Sequence, residues 1–208
     1  MGIDANRELV LTAIDMNTRA YTMTTRARTV ERTRARIIDA CVALHGERPV
    51  TDIGLDDVAA RAGVSTQTVL RHFGSRAGLE EASLAHAQQA VADERRTPVG
   101  DVAKAVRVIV DHYERRGDEA LLMLSQESHQ ELMARVTEQG KALHRAWVEE
   151  VFAPYVDEAD DPQELTDLLV VATDVYTWKL LRRDRGLGRD RTERRMRHLV
   201  DCLLAPRT

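Results

Sequence analysis

The stretch LDDVAARAGVSTQTVLRH, Leu55 to His72, constrains this chain more than any other, because it specifies two short helices and the turn between them. Leu55, Val58, Ala59 and Ala62 fall at i, i+3, i+4 and i+7, a single apolar stripe of a helix. Gly63 follows at once, where left-handed backbone costs glycine nothing. Ser65 then supplies an N-cap oxygen for a second helix. In that helix Val69 and Phe73 face inward, while Thr66, Gln67, Thr68, Arg71 and His72 face out. The small side chain of Ala59 lets the second helix cross closely. The pattern predicts a helix-turn-helix.

An ordinary helical hairpin shares the helix–Gly–helix pattern, but it would more often carry Glu and Lys on its outer face. Here the outer face carries base-reading chemistry. Arg71 can donate two hydrogen bonds to guanine, and Gln67 can pair with adenine. Thr66 and Thr68 can reach a phosphate or a thymine methyl. A second helix of this kind is expected to enter the major groove of double-stranded DNA.

With RTRARIIDACVALHGE before it and DDVAARAGVSTQTVLRHFGSRAGL through it, the region 31–79 resembles the DNA-binding domain of the tetracycline-repressor (TetR) family of bacterial regulators. The Ala-Gly-Val-Ser turn and the His-Phe-x-Ser-(Arg/Lys)-x-x-Leu ending carry the resemblance. It implies a phosphate contact for His72. Leu70 stands where the family usually has an aromatic, mostly Tyr. Gly54 stands where a Ser or Thr often opens the first helix of the motif, and Arg76 keeps the charge of the usual Lys. The family builds its dimer from its last two long helices, which implies a homodimer through 162–204.

Net charge is −4, an unusual sign for a DNA binder. It is unevenly spread. Residues 24–80 hold nine arginines against seven acids, a net +2, whereas 81–208 carry a net −5. Local charge is what binds phosphate, and Arg26, Arg28, Arg32, Arg34 and Arg36 cluster ahead of the first helix. The acidic remainder argues against a generic nucleic-acid coat. Hydrophobic residues at 43% and charged residues at 31% fit a globular chain. No apolar run approaches membrane-spanning length, and the N-terminus lacks the apolar core and cleavage site of a secretory leader. A cytoplasmic protein with no membrane contact is expected. Cys41 and Cys202, in apolar helical stretches, read as two buried reduced thiols.

Three regions are expected: a flexible N-terminal extension over 1–23, a helix-turn-helix DNA-binding domain over 24–80, and a helical regulatory and dimerisation domain over 81–208. The first helix is placed from Val30 to His45, ended by Gly46 and Pro49. A helix capped by Ser75 and continuing through Ala92 is expected to be the only continuous rigid link between head and body. In the body, Thr97-Pro98 should cap a helix that Gly117 ends, with Asp118 opening a short one. Further helices are placed from near Ser128 to Tyr155, from the strong Asp161-Pro162-Gln163-Glu164 start through 165–181, and over Met196 to Leu203. The 165–181 segment is apolar on more than one face. Val171, Val175 and Trp178 lie off its main stripe, so a partner should cover them. The fold class is all-α throughout.

Met123, His144, Trp147, Tyr176 and Trp178 are the candidate lining of an effector pocket, and the low aromatic content of 4% favours an aliphatic or modest-sized ligand. His112, His129 and His144 lack the i, i+3 or i+4 spacing of a metal site on one helix, so neither metal nor cofactor is expected. The arginine run from Arg182 to Arg197 reads as a solvated rim with local ion pairs. Phosphate-cradling glycine loops, nucleophile elbows and paired Cys-x-x-Cys are missing, which argues against an enzyme. The expected function is a dimeric repressor that binds an inverted-repeat operator and is released by a small molecule. The competing reading is a helical dimer that serves as a protein-interaction module without specific DNA reading.

Overall fold

A computed structural model describes residues 27–205; the expected N-terminal extension over 1–23 lies outside the described residues. The described chain is helical, with helices α1 (27–47), α2 (Leu55–Ala62), α3 (Thr66–Phe73), α4 (Arg76–Glu94), α5 (Val102–Leu124), α6 (Glu131–Val151), α7 (Ala153–Val156), α8 (Pro162–Thr173), α9 (Val175–Lys179) and α10 (Arg189–Leu204). Its apolar side chains gather into two clusters. Ile37, Cys41 and Leu44 of α1 meet Val58, Ala59 and Ala62 of α2, Val69 of α3 and Leu79 of α4 in the first. The second is built on Val106, Ile109 and Val110 of α5, with Val148 and Phe152, Leu169, Trp178, Met196 and Val200 around it.

Local capping decides most boundaries. Ser65, Ser75 and Asp161 each accept the backbone N–H three residues on, at 3.2, 3.1 and 2.9 Å, satisfying donors that a helix start leaves orphaned. Pro162 occupies the first turn of α8, where its missing N–H costs nothing. Asp101, not Thr97-Pro98, opens α5, its carboxylate accepting Lys104 N–H at 2.9 Å. The helix begun near Ser128 is shorter than expected. It starts at Glu131, ends at Val151, and is followed by the one-turn α7 with Pro154 in its first turn.

Two expectations about the body are overturned by packing. Gly117 does not stop a helix: α5 runs through it to Leu124. A Cβ at Gly117 would stand 2.4 Å from Trp178 Cζ3, so the glycine is there to let the indole lie against the helix. The predicted 165–181 helix is broken at Asp174, whose extended backbone and side chain cap α9, with Tyr176 N–H donating at 2.8 Å. Thr173 and Asp174 are residues whose side chains compete for backbone groups, which a count of apolar positions does not register. A single π-helical turn, Leu180–Asp184, then leads toward α10.

The break changes which apolar residues look outward. Val175 and Trp178 are buried in the body core, but Val171 is 63% exposed and Leu199 on α10 44% exposed. Tyr176 and Leu180 are exposed as well. Cys41 is buried as expected. Cys202 is exposed instead, because α10 turns Met196 and Val200 to the core and position 202 falls on the opposite side. The arginine run is threaded with ion pairs: Arg182 to Glu114 at 2.9 Å, Arg183 to Asp118 at 2.8 Å, and Arg189 to Asp111 at 2.6 Å.

Candidate nucleic-acid interface and body cavity

The turn between α2 and α3 has the geometry that its residues require. Gly63 sits at φ 65°, ψ 43°, and Val64 N–H returns to Ala59 O at 3.0 Å. Gly74, at φ 74°, ends α3. Val69 is completely buried and pins α3 to the head core, while Phe73 packs partly against it under the Arg34 guanidinium, 5.1 Å from the ring centre. On the outer side Gln67, Leu70 and Arg71 are exposed, and Thr66, Thr68 and His72 are half-buried. Arg28 is exposed in the first turn of α1.

Several candidate contacts already have partners within the chain. Thr66 Oγ1 donates to the Asp56 carboxylate, and Thr68 Oγ1 shares a hydrogen bond with Ser65 Oγ at 3.0 Å. Gly54 caps α2 without a hydroxyl, its own N–H donating to Asp57 Oδ2 at 2.7 Å. Arg76 braces the head: Nη1 donates to Ile53 O at 2.9 Å and Nε to Glu80 at 2.7 Å. Among the described residues Arg71 forms no such bond, and it lies on the exposed face of α3.

A cavity of about 210 Å³ lies in the body between α4, α5, α6 and the α8–α9 break, with Val42 of α1 reaching into its wall. Met123, His144 and Tyr176 line it as expected. Trp147 and Trp178 do not. Trp147 stands behind the wall, stacked on His144 at 5.7 Å with its N–H given to Arg95 O at 2.9 Å. Trp178 is fully buried against Gly117, its N–H given to Glu114 at 3.0 Å. Both indoles satisfy their one polar atom within the fold, which leaves them to act as core.

The cavity also carries polar groups that the sequence reading did not single out, Arg95, Tyr113, Arg116 and Asp174, beside His112 and His144. Glu94, next to the cavity, accepts from Arg116 Nη2 at 2.7 Å and faces His112 Nδ1 at 3.1 Å. The Arg116 hydrogen bonds hold its carboxyl down at about 2. Burial, then the nearby Arg95 charge, push His112 down to about 3 and His144 to about 4. Both rings are therefore neutral near pH 7. Burial raises the Tyr113 phenol, which donates to Thr173 O at 3.1 Å.

Head and body also touch directly, so α4 is not their only rigid link. Val50 N–H donates to Gln126 Oε1 at 2.9 Å, and Gln126 is itself held by Leu122 O at 2.9 Å. Gly46 of α1 lies so close to α5 that a Cβ there would come within 2.9 Å of Glu119 Cγ. Glu119 also lines the cavity.

Residues 37–82 match the family of bacterial regulatory proteins known as the tetR family. No curated protein matches the chain. Among solved structures, a tetR-family transcriptional regulator from Streptomyces coelicolor superposes with TM-score 0.61 at 21% identity, over 83% of this chain and 80% of the other. A transcriptional regulator from Rhodococcus sp. Rha1 gives TM-score 0.60 at 18% identity, over 82% and 95%. A SmeT–triclosan complex gives 0.62 at 19%, over 83% and 90%. These likenesses show a shared fold. Among the described residues no helix is long and apolar enough to cross a membrane.

Proposed function

We propose that the chain, whose residues 37–82 match the tetR family, is a DNA-binding transcriptional regulator of that kind, a dimeric repressor released from an inverted-repeat operator by a small molecule. One observation carries the reading. The helix that Ser75 caps beside the exposed end of α3 runs without interruption to the wall of the body cavity. Whatever fills the cavity therefore acts on the far end of the element that positions the recognition helix. The solved SmeT complex holds a small molecule, triclosan, on a similar fold.

Gln67 and Arg71 read base edges in this reading. Thr66, Thr68, Leu70, His72, Arg76, Gly54 and Arg28 meet sugar, phosphate or thymine methyl. The exposed Val171, Tyr176, Leu180 and Leu199 form a dimer face within 162–204. Two-fold pairing places the recognition helices about one DNA turn, ~34 Å, apart or a multiple of it. A ligand lowers operator affinity only as far as it favours a conformation with the wrong head spacing, a coupling of about 1–3 kcal/mol that acts equally in both directions.

The test begins with DNA fragments selected by the purified protein, which should yield an inverted repeat. Arg71→Ala should then lose discrimination between that operator and a guanine-substituted copy by about 1–3 kcal/mol, while total affinity changes less. Equal discrimination before and after the substitution removes Arg71 as the reader. A cavity ligand whose affinity is unchanged by saturating operator removes the release mechanism.

A further inference from the structure

The cavity holds a charge with which no carboxylate among the described residues pairs. Three basic side chains face it. Arg116 is held by Glu94 at 2.7 Å and Lys141 by Glu127 at 2.6 Å. Arg95 has no such partner among the described residues. It is only 8% exposed, and its Nε is buried without any hydrogen bond. Its other polar contact is a long one, 3.5 Å from Nη1 to His144 Nδ1, and its guanidinium lies 5.7 Å from the Tyr113 ring centre.

Burial opposes that charge, and Glu94 and Asp174 favour it only from beyond ion-pair distance. His144 is neutral, and its Nε2 lies 3.2 Å from Thr173 Oγ1 and 3.4 Å from Val170 O. With the proton on Nε2, Nδ1 remains an acceptor turned toward Arg95. Glu94, the preceding residue, turns its carboxylate away to Arg116 and His112. Asp174 also faces the cavity, but its carboxylate caps α9 through Tyr176 N–H and makes no ion pair with Arg95. A buried guanidinium without a carboxylate is costly, because desolvation is not repaid by hydrogen bonds. Its planar fork of donors matches one group above others, a carboxylate. The remaining wall is largely apolar, with Leu84, Val91, Met123, Leu124, Val136 and Leu143. At about 210 Å³ the space is below the roughly 300–1,000 Å³ of sites for drug-sized ligands.

We propose that the effector is a small organic acid, a monocarboxylate with a short aliphatic or single-ring tail, whose carboxylate pairs with Arg95. This rests on the reading of the same cavity as the effector site. Arg95 is also the residue at which α4 ends, and its carbonyl is anchored by Trp147 and by Thr97 Oγ1 at 3.0 Å. The acid would thus be bound by the terminus of the helix that carries the head.

The experiment is calorimetric titration of the full-length protein with matched pairs that differ only in charge: octanoate against octanamide, and phenylacetate against phenylacetamide. At least one acid should bind roughly 10- to 100-fold tighter than its amide, the value of a charge-assisted pair in a dry site. Arg95→Gln should erase that preference without weakening the amide, and Arg95→Lys should keep part of it. The comparison within the native chain needs no variant, so a folding defect in either substitution leaves it decisive. Acids that never exceed their amides, or an acid preference that survives in a folded Arg95→Gln protein, overturn the proposal. Operator release is scored separately. Acids that bind through Arg95 yet leave operator affinity unchanged would uphold the acid site and remove the effector reading. Release by the amides alone would do the reverse.

Discussion

Replacing Gly117 by alanine isolates a single close approach within the body. The new Cβ would meet Trp178 at 2.4 Å from Cζ3, 2.6 Å from Cη2 and 3.0 Å from Cε3, where carbon atoms at rest stand about 3.5–4.0 Å apart. Something must move by about 1 Å. The indole has no free direction: it is fully buried, its N–H is tied to Glu114 at 3.0 Å, and the Arg183 guanidinium lies 4.6 Å from its ring centre. Overpacking of this kind costs about 1–3 kcal/mol. Alanine recovers up to about 1 kcal/mol through helix propensity. With contacts as short as 2.4 and 2.6 Å the overpacking cost falls in the upper part of its range, about 2–3 kcal/mol, so a net loss of about 1–2 kcal/mol remains, which for a chain of this size lowers Tm by roughly 2–8 °C. Thermal and urea melts at fixed protein concentration, followed by tryptophan fluorescence, measure it. Combining Gly117→Ala with Trp178→Leu should cost less than the two changes summed, since the smaller side chain removes the clash. A Gly117→Ala protein as stable as the parent, or more so, would refute the argument that the glycine exists to admit the ring.

Gly63→Val places a β-branched residue at φ 65° and should cost more than about 1 kcal/mol while operator binding falls in a protein that stays folded; undiminished operator affinity would contradict the turn geometry. Val171→Glu or Leu199→Glu should favour monomers or aggregates in sedimentation at micromolar concentration, and an unchanged dimer would move the interface elsewhere. Stability should also decline in acid. His112 and His144 titrate near 3 and 4 when folded but near 6.5 when unfolded, so the unfolded chain binds more protons below pH 6.5. Their contribution is complete above pH 6.5 and is lost as pH falls toward 4 for His144 and toward 3 for His112, by up to about 1.4 kcal/mol per pH unit for each ring. Melting temperature should drop between pH 7.5 and pH 5.0, less so in His112→Gln, and a flat profile would mean the rings are charged in the fold.

What the sequence made legible was local. Gly63, Ser65, Ser75 and Asp161 each solve a problem of their own helix end, and a reader of residues can see both the problem and the solution. Gly117 offers the same signal as Gly63 and means something else. Its role is set by Trp178, far along the chain and brought near only by folding. Asp174 hid within an apolar run because periodicity weighs hydrophobic positions, and a cap is a property of one polar atom. The two tryptophans were assigned to the cavity on their chemistry, but each had found a partner for its N–H inside the core. Arg95 was overlooked for the opposite reason. Its distinction is the partner it lacks, and only packing reveals a missing partner.

The bond from Val50 N–H to Gln126 Oε1 bears on how heads and bodies of this kind can be exchanged. Cutting the chain at the start of α4 and joining a foreign head looks like a one-point splice. In this protein the head rests on the body at a second place, where Gly46 must stay small beneath Glu119 and position 50 must present a free amide to Gln126. A donor head with a larger residue at the first position, or proline at the second, would be covalently sound and mechanically loose. Under the release mechanism proposed above, it would bind its own operator but no longer register the state of the cavity. Under that mechanism a chimera would inherit specificity from one seam and obedience from two.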